Sequence, residues 1–514
     1  MYARGARGWR HLDSALAVAG PAVLILVLLL LIPPHGILSE NEEDYFALAH
    51  RFVSGSAWPE KTAVFDASPH RMLSDLTLGA VVSAIGYAPA QVVTRLLAVA
   101  GYALTLSALF RVVGLSTLDA AIAVMGTELI GQDIIGGEWL FSGYEAKVAA
   151  YVLVLAGLRL MLARRQSAAA ALLFAVATWF HFLVGGFWFL AAMALRLLDS
   201  PRELRQVARM TALYALLVAP LLGVIAWARL ADTSATGLTD MPPPDVIYAI
   251  IREPHHQSPF LSWAYFRAQW LPGYVMALPM LLVCVWVAWR HACRRLRVMA
   301  LWVAGLLTYL VVILGPKLLD RDTGMLGKLY LFRPSALTLL LWLLLALAVL
   351  VAMLGSRAWF LRAALVAVAA PAFLWIRGGQ LVREIADNDA LMRDKQPFVA
   401  AVTRVVAPGD VVLIDPEVEM QWLDFERRTS RPTFVAWKFA PTNDAELIKW
   451  YRRIEFRREV FEQGCAPDMH AEGIAYLLTT PVQAPILEAS CGPEVLRGGP
   501  WVLLRRVPPN SSPA

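Results

Sequence analysis

The sequence is poor in charge. Only 17% of its 514 residues are Asp, Glu, Lys or Arg, whereas 58% are hydrophobic. A soluble protein of this composition would have too little polar surface to present to water, so the soluble class is excluded and a membrane protein is indicated. The net charge of +6 does not indicate nucleic-acid binding, because the basic residues form short clusters between apolar stretches, which is how membrane orientation is encoded.

Internal repeats and low-complexity linkers are also absent, and instead apolar stretches follow one another along the chain. Each could cross the bilayer as a helix, although two of them are short. The eleven predicted spans are 15–33, 89–113, 117–135, 147–163, 167–181, 182–198, 210–228, 271–289, 298–315, 334–354 and 358–376. The first lacks a small-x-small cleavage pattern, so we interpret it as an uncleaved span.

Two regions leave alternatives open. The short segments 167–181 and 182–198 meet at His181 and Gly185, and they are either two spans or a pair of half-length or re-entrant helices. Residues 73–87 are apolar as well, but a span there would invert everything downstream. We therefore interpret 73–87 as an interfacial helix on the outer surface.

Arginine clusters predict the orientation, since positive residues collect on the cytoplasmic side. With a cytoplasmic N-terminus carrying Arg4, Arg7 and Arg10, every strong cluster lies in a cytoplasmic loop. These clusters are Arg111; Arg164 and Arg165; Arg196, Arg202, Arg205 and Arg209; Arg290, Arg294, Arg295 and Arg297; and Arg357 and Arg362. An odd number of spans puts the C-terminus outside the cytoplasm. The outer face is then formed by 35–72, 136–146, 229–270, 316–333 and the tail.

The pattern predicts two domains, a transmembrane domain over 1–380 and an extracytoplasmic domain over 385–514. In the tail, helices are predicted at 398–406 and 443–463 and strands at Val411–Ile414, 473–479 and 500–506, which indicates a small α/β domain. Cys465 and Cys491 both lie there. Outside the cytoplasm they form either a disulfide or two free thiols, and spacing does not decide between the two.

The first outer loop is acidic. Glu40, Glu42, Glu43 and Asp44 occupy four of five consecutive positions. Mutual repulsion raises the pKa of at least one of these carboxyl groups unless a cation lies nearby. The alternative is a solvated acidic cap at the start of a helix, which the helix dipole stabilises.

Further candidate binding residues fall on the same predicted face. They are Glu145, Lys147, His181, Arg252, His255, His256, Lys317, Arg321 and Arg333. The two adjacent histidines between prolines suit phosphate, a metal or proton transfer, although no Cys or third His stands at ligand spacing. The alternative is ordinary interfacial polarity, with Lys147 extending toward the lipid head groups and His181 a satisfied interface residue.

Acids, histidines and basic groups collected at one membrane face suit an anionic, lipid-borne substrate. A carboxylate there would deprotonate an acceptor hydroxyl, and basic side chains would stabilise a departing phosphate.

The pattern resembles the GT-C superfamily of membrane glycosyltransferases. The resemblance rests on Glu42-Glu43-Asp44 followed by a surface helix, on the many spans and on a C-terminal domain outside. More narrowly, Asn41-Glu42-Glu43-Asp44, Glu145-Ala146-Lys147, Phe180-His181-Phe182 and Pro254-His255-His256 look like a group of bacterial polytopic membrane proteins with GT-C-like architecture, over about residues 10–380. It implies a polyprenyl-phosphate-linked sugar donor and a catalytic acid in the first outer loop. No strict Asp-x-Asp is present in that loop, so the choice among Glu42, Glu43 and Asp44 stays open. The tail lacks the Trp-Trp-Asp signature of oligosaccharyltransferases.

The leading hypothesis is therefore an inverting glycosyltransferase at the outer face of a bacterial inner membrane. Its partners would be a lipid-linked sugar donor, membrane lipids and cell-envelope assembly proteins, with no nucleic acid. The cofactor is unknown, with a divalent cation, Mg or Mn, as the candidate. One alternative is a transporter or flippase of a lipid-linked or anionic solute. The absence of repeats and of mid-membrane charges argues against it. The other alternative is a non-catalytic assembly protein.

Overall fold

The structure is a computed structural model, and it describes residues 19–507 except 34–37, 56–57, 59–60, 66–68, 164–166, 232–239, 466–468 and 470–471. The predictions that concern Arg4, Arg7, Arg10, Arg164 and Arg165, and the beginning of the first span, lie outside these residues. The described chain is mostly helical, with one small sheet near the C-terminus.

Among the described residues, fourteen longer helices precede the sheet or lead into it. They are α1 (Ala19–Leu30), α2 (Glu40–Val53), α3 (Met72–Ile85), α4 (Tyr87–Val112), α5 (Thr117–Ile130), α6 (Ala146–Leu162), α7 (Ser167–Phe180), α8 (Phe182–Asp199), α9 (Leu204–Ala231), α10 (Leu271–Arg290), α11 (Arg294–Val312), α12 (Ser335–Leu354), α13 (Ala358–Phe373) and α14 (Gly379–Val405). Short helical turns, including Pro254–Gln257, lie in the loop between α9 and α10.

Seven helical stretches are long and apolar enough to cross a membrane. They are Tyr87–Val112, Phe182–Asp199, Pro201–Leu230, Trp263–Arg290, Arg294–Leu319, Ser335–Leu354 and Ala358–Val405. Each contains most of one predicted span. The other predicted spans correspond to the shorter helices α1, α5, α6 and α7. Since α5 and α7 have 14 residues each, they are about 21 Å long, against a hydrocarbon thickness of about 30 Å.

The segment interpreted as interfacial is also a helix. It is α3, of 14 residues, and Asp75 is buried within it. At Gly79 a Cβ atom would lie 2.1 Å from the carbonyl oxygen of Ala49, so α2 and α3 approach each other backbone to backbone. This close approach fixes the acidic start of α2 relative to α3.

The sheet has four strands in the order β1-β2-β4-β3. They are β1 (Val411–Ile414), β2 (Ile474–Thr479), β3 (Glu494–Gly498) and β4 (Trp501–Arg505), with β1 parallel to β2 and the other pairs antiparallel. Helices α15 (Asp444–Gln463) and α16 (Ala484–Cys491) complete this part. The predicted α/β character, the three predicted strands and the helix at 443–463 are confirmed. Strand β3 and helix α16 were not predicted.

Both faces of the sheet are covered. Val411 and Leu413 pack with Leu447 of α15 on one face, whereas Val412 and Ile414 pack with Phe398 of α14 on the other. All four residues of β1 are therefore buried, which explains why its sequence is continuously apolar. The predicted helix 398–406 is the end of a helical stretch that runs from Ala358 to Val405. This stretch crosses the predicted domain boundary and brings the apolar segment and the sheet together.

The sheet part also packs against the beginning of the chain. Ala47 and Leu48 of α2 share an apolar cluster with Leu423, Ala436 and Phe439. The carboxylate of Glu426 accepts hydrogen bonds from Thr62 and from the backbone N–H of Ala63, the latter at 2.9 Å. The acidic helix α2 therefore lies between the long helices and the sheet.

Candidate functional site

The start of α2 positions the acidic run. Ser39 caps the helix, and Ser39 and Glu42 form a reciprocal capping box. Glu42 is fully buried and binds Arg95 with both carboxylate oxygens, and it also accepts from the backbone N–H of Tyr144 at 2.7 Å. Both carboxylate oxygens of Glu42 are thus occupied by hydrogen bonds from Ser39, Arg95 and Tyr144.

Glu43 is engaged as well, but with the sheet part. Its two carboxylate oxygens accept hydrogen bonds from Nε and Nη2 of Arg427 at 2.8 and 2.9 Å. Arg427 lies over the ring of Tyr87 and 3.6 Å from Asp424. Glu43 therefore holds α2 against the sheet part.

Asp44 is the member of the run that keeps a free oxygen. Its Oδ1 is shielded from solvent and has no hydrogen-bond partner among the described residues. Burial raises the pKa of Asp44 to about 6, and the positive charges of Arg71, Lys438 and Arg252 limit that rise. A carboxylate with this pKa is ionised at neutral pH and is more basic than an ordinary aspartate, as a general base requires.

Tyr45, the neighbour of Asp44 in α2, lies close to several further charged side chains. The guanidinium of Arg71 lies 4.4 Å from the centre of the Tyr45 ring. Burial raises the pKa of Tyr45, Glu145 and Asp44 raise it further, and Arg71 and Arg333 lower it. These charged side chains therefore gather around one tyrosine.

A second group is a chain of alternating charges. Lys147 binds Glu138 at 3.2 Å and Glu145 at 3.4 Å, and Arg333 binds the other oxygen of Glu138 at 3.0 Å. The side chain of Asn41, at the start of α2, donates a hydrogen bond to Glu145. Side chains from three distant segments thus meet, among them the predicted candidates Glu145, Lys147 and Arg333. The two cations Lys147 and Arg333 bind different oxygens of Glu138.

His181 belongs to the same group. Its Nε2 accepts a hydrogen bond from Nη1 of Arg333 at 2.5 Å, and its ring lies 6.5 Å from that of His70. Burial and the neighbouring Arg71 lower the pKa of His70 to about 3, so His70 is neutral under physiological conditions. His181 therefore accepts a hydrogen bond from Arg333 and is also the N-cap residue of helix α8.

The adjacent histidines lie beside this group. Nδ1 of His256 is 2.5 Å from the carbonyl oxygen of Gly136, two residues before Glu138. Nε2 of His255 and Nε2 of His256 each lie 3.7 Å from Oε2 of Glu253. Arg252 binds the other oxygen of Glu253 at 2.6 Å and donates to the carbonyl oxygen of Trp437 at 3.1 Å. The loop thus contacts both the charged group and the sheet part.

Lys317 and Arg321 are not brought into this group by any described contact. Lys317 is buried and binds Asp320 at 3.2 Å, and Asp320 also accepts from Thr323 and from the backbone N–H of Leu326. Arg321 is exposed and binds its neighbour Asp322 at 3.1 Å. Each of these cations therefore pairs with an acid of its own loop. The acid is three residues away for Lys317 and one residue away for Arg321.

Two solved structures are similar to this chain. The crystal structure of ArnT from Cupriavidus metallidurans bound to undecaprenyl phosphate is similar to this chain with a TM-score of 0.51 and 14% identity, over 99% of both chains. The chain has a GT-C-like fold. The same protein in the apo state matches with a TM-score of 0.41 and 14% identity, over 99% of this chain and 100% of that chain. Neither a scan against protein-family models nor a search of curated proteins gives a match.

Several residues of this site were not singled out from the sequence. They are Arg71, Asp133, Glu138 and Arg427. Glu138 forms ion pairs with both Lys147 and Arg333. In the sequence it is an isolated acid in a glycine-rich turn, and nothing in that pattern predicts these partners. The charge pairs join segments up to 384 positions apart, and spacing along the chain gives no signal for such pairs.

Proposed function

We propose that this chain is a membrane glycosyltransferase that moves a sugar from a polyprenyl-phosphate-linked donor to an acceptor hydroxyl at the outer face of a bacterial inner membrane. The observation that carries the proposal is the unpaired, shielded carboxylate oxygen of Asp44 in a GT-C-like fold. Glu42 and Glu43 are occupied by arginines, so Asp44 is the acid of the run that remains available for a substrate.

The chemistry requires a base and a cationic site. Asp44 takes the proton of the acceptor hydroxyl while that oxygen attacks the anomeric carbon of the sugar. The bond between that carbon and the phosphate oxygen breaks, and the polyprenyl phosphate leaves with the bonding electrons. Attack from the side opposite the leaving group inverts the configuration at the anomeric carbon.

Arg333 is our candidate for the cation that stabilises the leaving phosphate. Its side chain is 14% exposed, and a guanidinium offers several N–H donors in a plane that matches phosphate oxygens. Lys147 lies on the other side of Glu138 and adds positive charge nearby. The neighbouring structure supports this assignment, since ArnT was crystallised with undecaprenyl phosphate.

One set of side chains offers protein ligands for a cation. Among the residues the structure describes, the only set of three His, Cys, Asp or Glu side chains close enough to share an ion is Glu253, His255 and His256. Magnesium prefers oxygen ligands, whereas imidazole suits later transition metals. This set therefore suits a transition-metal ion better than Mg²⁺.

The decisive experiment measures sugar transfer by the purified chain and by Asp44→Asn. Undecaprenyl phosphate loaded with a panel of radiolabelled sugars is incubated with enzyme and with envelope fractions from a strain that lacks the gene. We expect transfer by the wild type and a rate about a hundred- to ten-thousand-fold lower for Asp44→Asn, which is the usual cost of losing a general base.

Controls separate catalysis from folding. Asp44→Asn is isosteric, so its thermal unfolding and membrane insertion should match the wild type. Asp389→Asn, which makes the same change at an exposed position of α14, should transfer sugar at the wild-type rate. Near-normal transfer by Asp44→Asn would refute the assignment of the base, and no transfer of any sugar by the wild type would refute the proposed activity.

A further inference from the structure

The loop between α9 and α10 carries a second arrangement of polar groups, distinct from the base and the phosphate site. Oε2 of Glu253, Nε2 of His255 and Nε2 of His256 converge, and the three ligand atoms of this set lie within 4.8 Å of one another. The two nitrogen-to-oxygen distances are both 3.7 Å. Ligand atoms around a tetrahedral zinc ion, each about 2.0–2.2 Å from the metal, stand about 3.3 Å apart, so only a small contraction separates this set from a metal site.

The orientation of His256 is fixed for this purpose. Its Nδ1 faces the carbonyl oxygen of Gly136, and since a carbonyl accepts, Nδ1 carries the hydrogen. The lone pair of the neutral ring is then on Nε2, the atom that faces Glu253. Metal-binding histidines are usually held in this way, with the second ring nitrogen bonded to a carbonyl or a carboxylate.

Glu253 is held in a similar way. Arg252 binds Oε1 at 2.6 Å, which directs Oε2 toward the imidazoles. Pro254 begins the short helix Pro254–Gln257 and keeps Glu253 and the two histidines within about one turn of a stiff segment. The side chain of His255 is 55% exposed, so an ion reaches the set from solvent.

We propose that Glu253, His255 and His256 bind one divalent transition-metal ion, of which Zn²⁺ is the best match. Two imidazoles and one carboxylate are a ligand set that zinc uses when its fourth position is open to water or to another ligand. Because the site contacts Gly136, bound metal would hold the loop against the turn that carries Glu138. This inference is independent of the proposed glycosyl transfer.

The test is direct binding of Zn²⁺ to the purified full chain in detergent, measured by equilibrium dialysis with elemental analysis and by calorimetry. The affinity tag must contain no histidine. Cys293, the exposed free thiol among the described residues, is replaced by serine in every protein so that it cannot contribute a ligand. We expect one equivalent of zinc per chain and an X-ray absorption spectrum with the multiple scattering of two imidazoles.

Single variants then identify the ligands. Loss of an outer hydrogen-bond partner already costs about 10- to 100-fold in metal affinity, so Glu253→Gln, His255→Ala and His256→Ala should each weaken binding by at least that factor. His291→Ala is the matched control, because His291 lies in the loop between α10 and α11 and hydrogen-bonds only locally, to the backbone of residue 293. It should bind zinc as the parent protein does.

Two outcomes would overturn the proposal. One is that the parent protein binds no zinc at concentrations below about a millimolar, the weak end of metal sites. The other is that the variant lacking both histidines binds one equivalent with unchanged affinity. Thermal unfolding with and without zinc guards against misfolded variants, since metal should raise the Tm of the parent and of His291→Ala but not that of Glu253→Gln.

Discussion

Arg427 binds both carboxylate oxygens of Glu43, and this contact joins residues 384 positions apart. Glu43 is nearly buried and Arg427 is one-fifth exposed, so the pair is largely removed from water. Removing one member of such a pair leaves a charge without its partner, which costs more than the net value of the pair itself. The contact therefore controls how firmly the sheet part is held against α2.

We expect Glu43→Gln to loosen this attachment. The free energy of unfolding should fall by roughly 3 kcal/mol, the usual loss when one member of a buried pair is removed. Limited proteolysis of the tail and thermal unfolding measure the change. Arg458→Gln is the matched control, because it breaks an exposed pair with Glu455 that should be worth less than about 1 kcal/mol. Equal behaviour of the two variants would contradict this role of Glu43.

The same pair shows where sequence reasoning reaches its limit. The apolar stretches, strand β1 and helix α15 follow from local patterns, so they were predictable, and so was a GT-C-like fold. Glu42, Glu43 and Asp44 are equivalent as sequence, since all are acids after one span. What distinguishes them is the position of Arg95 and Arg427, and folding alone brings those arginines to the acids.

A second prediction concerns Glu42. Because it is fully buried against Arg95, Glu42→Gln should lower the yield of folded protein and the Tm instead of selectively abolishing transfer. Replacing both partners, Glu42→Gln with Arg95→Met, should recover part of the lost stability. Fluorescence-detected size-exclusion chromatography and thermal unfolding provide the measurements. A stable, monodisperse Glu42→Gln protein without activity would instead indicate a role in catalysis.

A third prediction concerns the disulfide between Cys465 and Cys491, which the structure contains. Non-reducing peptide mapping should recover the two cysteines in one linked species. The bond joins positions 26 residues apart. By loop-closure entropy, its removal by Cys465→Ser and Cys491→Ser should destabilise the tail by about 3 kcal/mol. Full alkylation of both thiols in the native, unreduced protein would exclude the bond.

A fourth prediction concerns orientation. Since the arginine clusters assign the tail to the extracytoplasmic side, a reporter enzyme that is active only outside the cytoplasm should be active when fused after Ala514. A cytoplasm-only reporter at the same point should be silent. The opposite pattern would put Asp44 on the wrong side of the membrane for the proposed reaction, because the tail and α2 pack together.

The last prediction is the pH dependence of transfer. Burial raises the pKa of Asp44 to about 6, so its carboxylate is the main form at pH 7 and is lost as the pH falls through 6. Activity should therefore decrease about tenfold for each pH unit below the pKa. His70 cannot cause this decrease, because its pKa is lowered to about 3.

The charge of Arg71 supplies the test of that assignment. Arg71 lowers the pKa of Asp44, so Arg71→Gln should raise it and shift the acid side of the pH profile to higher pH. Two other carboxyl groups titrate in this range, Asp75 with a pKa of about 6 and Asp133 with a pKa of about 7. Arg71 also binds Asp75 and lowers its pKa, so Asp75→Asn is needed beside Asp133→Asn, and both variants should leave the acid side in place. Arg497→Gln, which changes only an exposed pair with Glu494, is the control for charge alone. If Arg71→Gln left the profile unchanged while Asp133→Asn removed its acid side, the titrating base would be Asp133 and not Asp44.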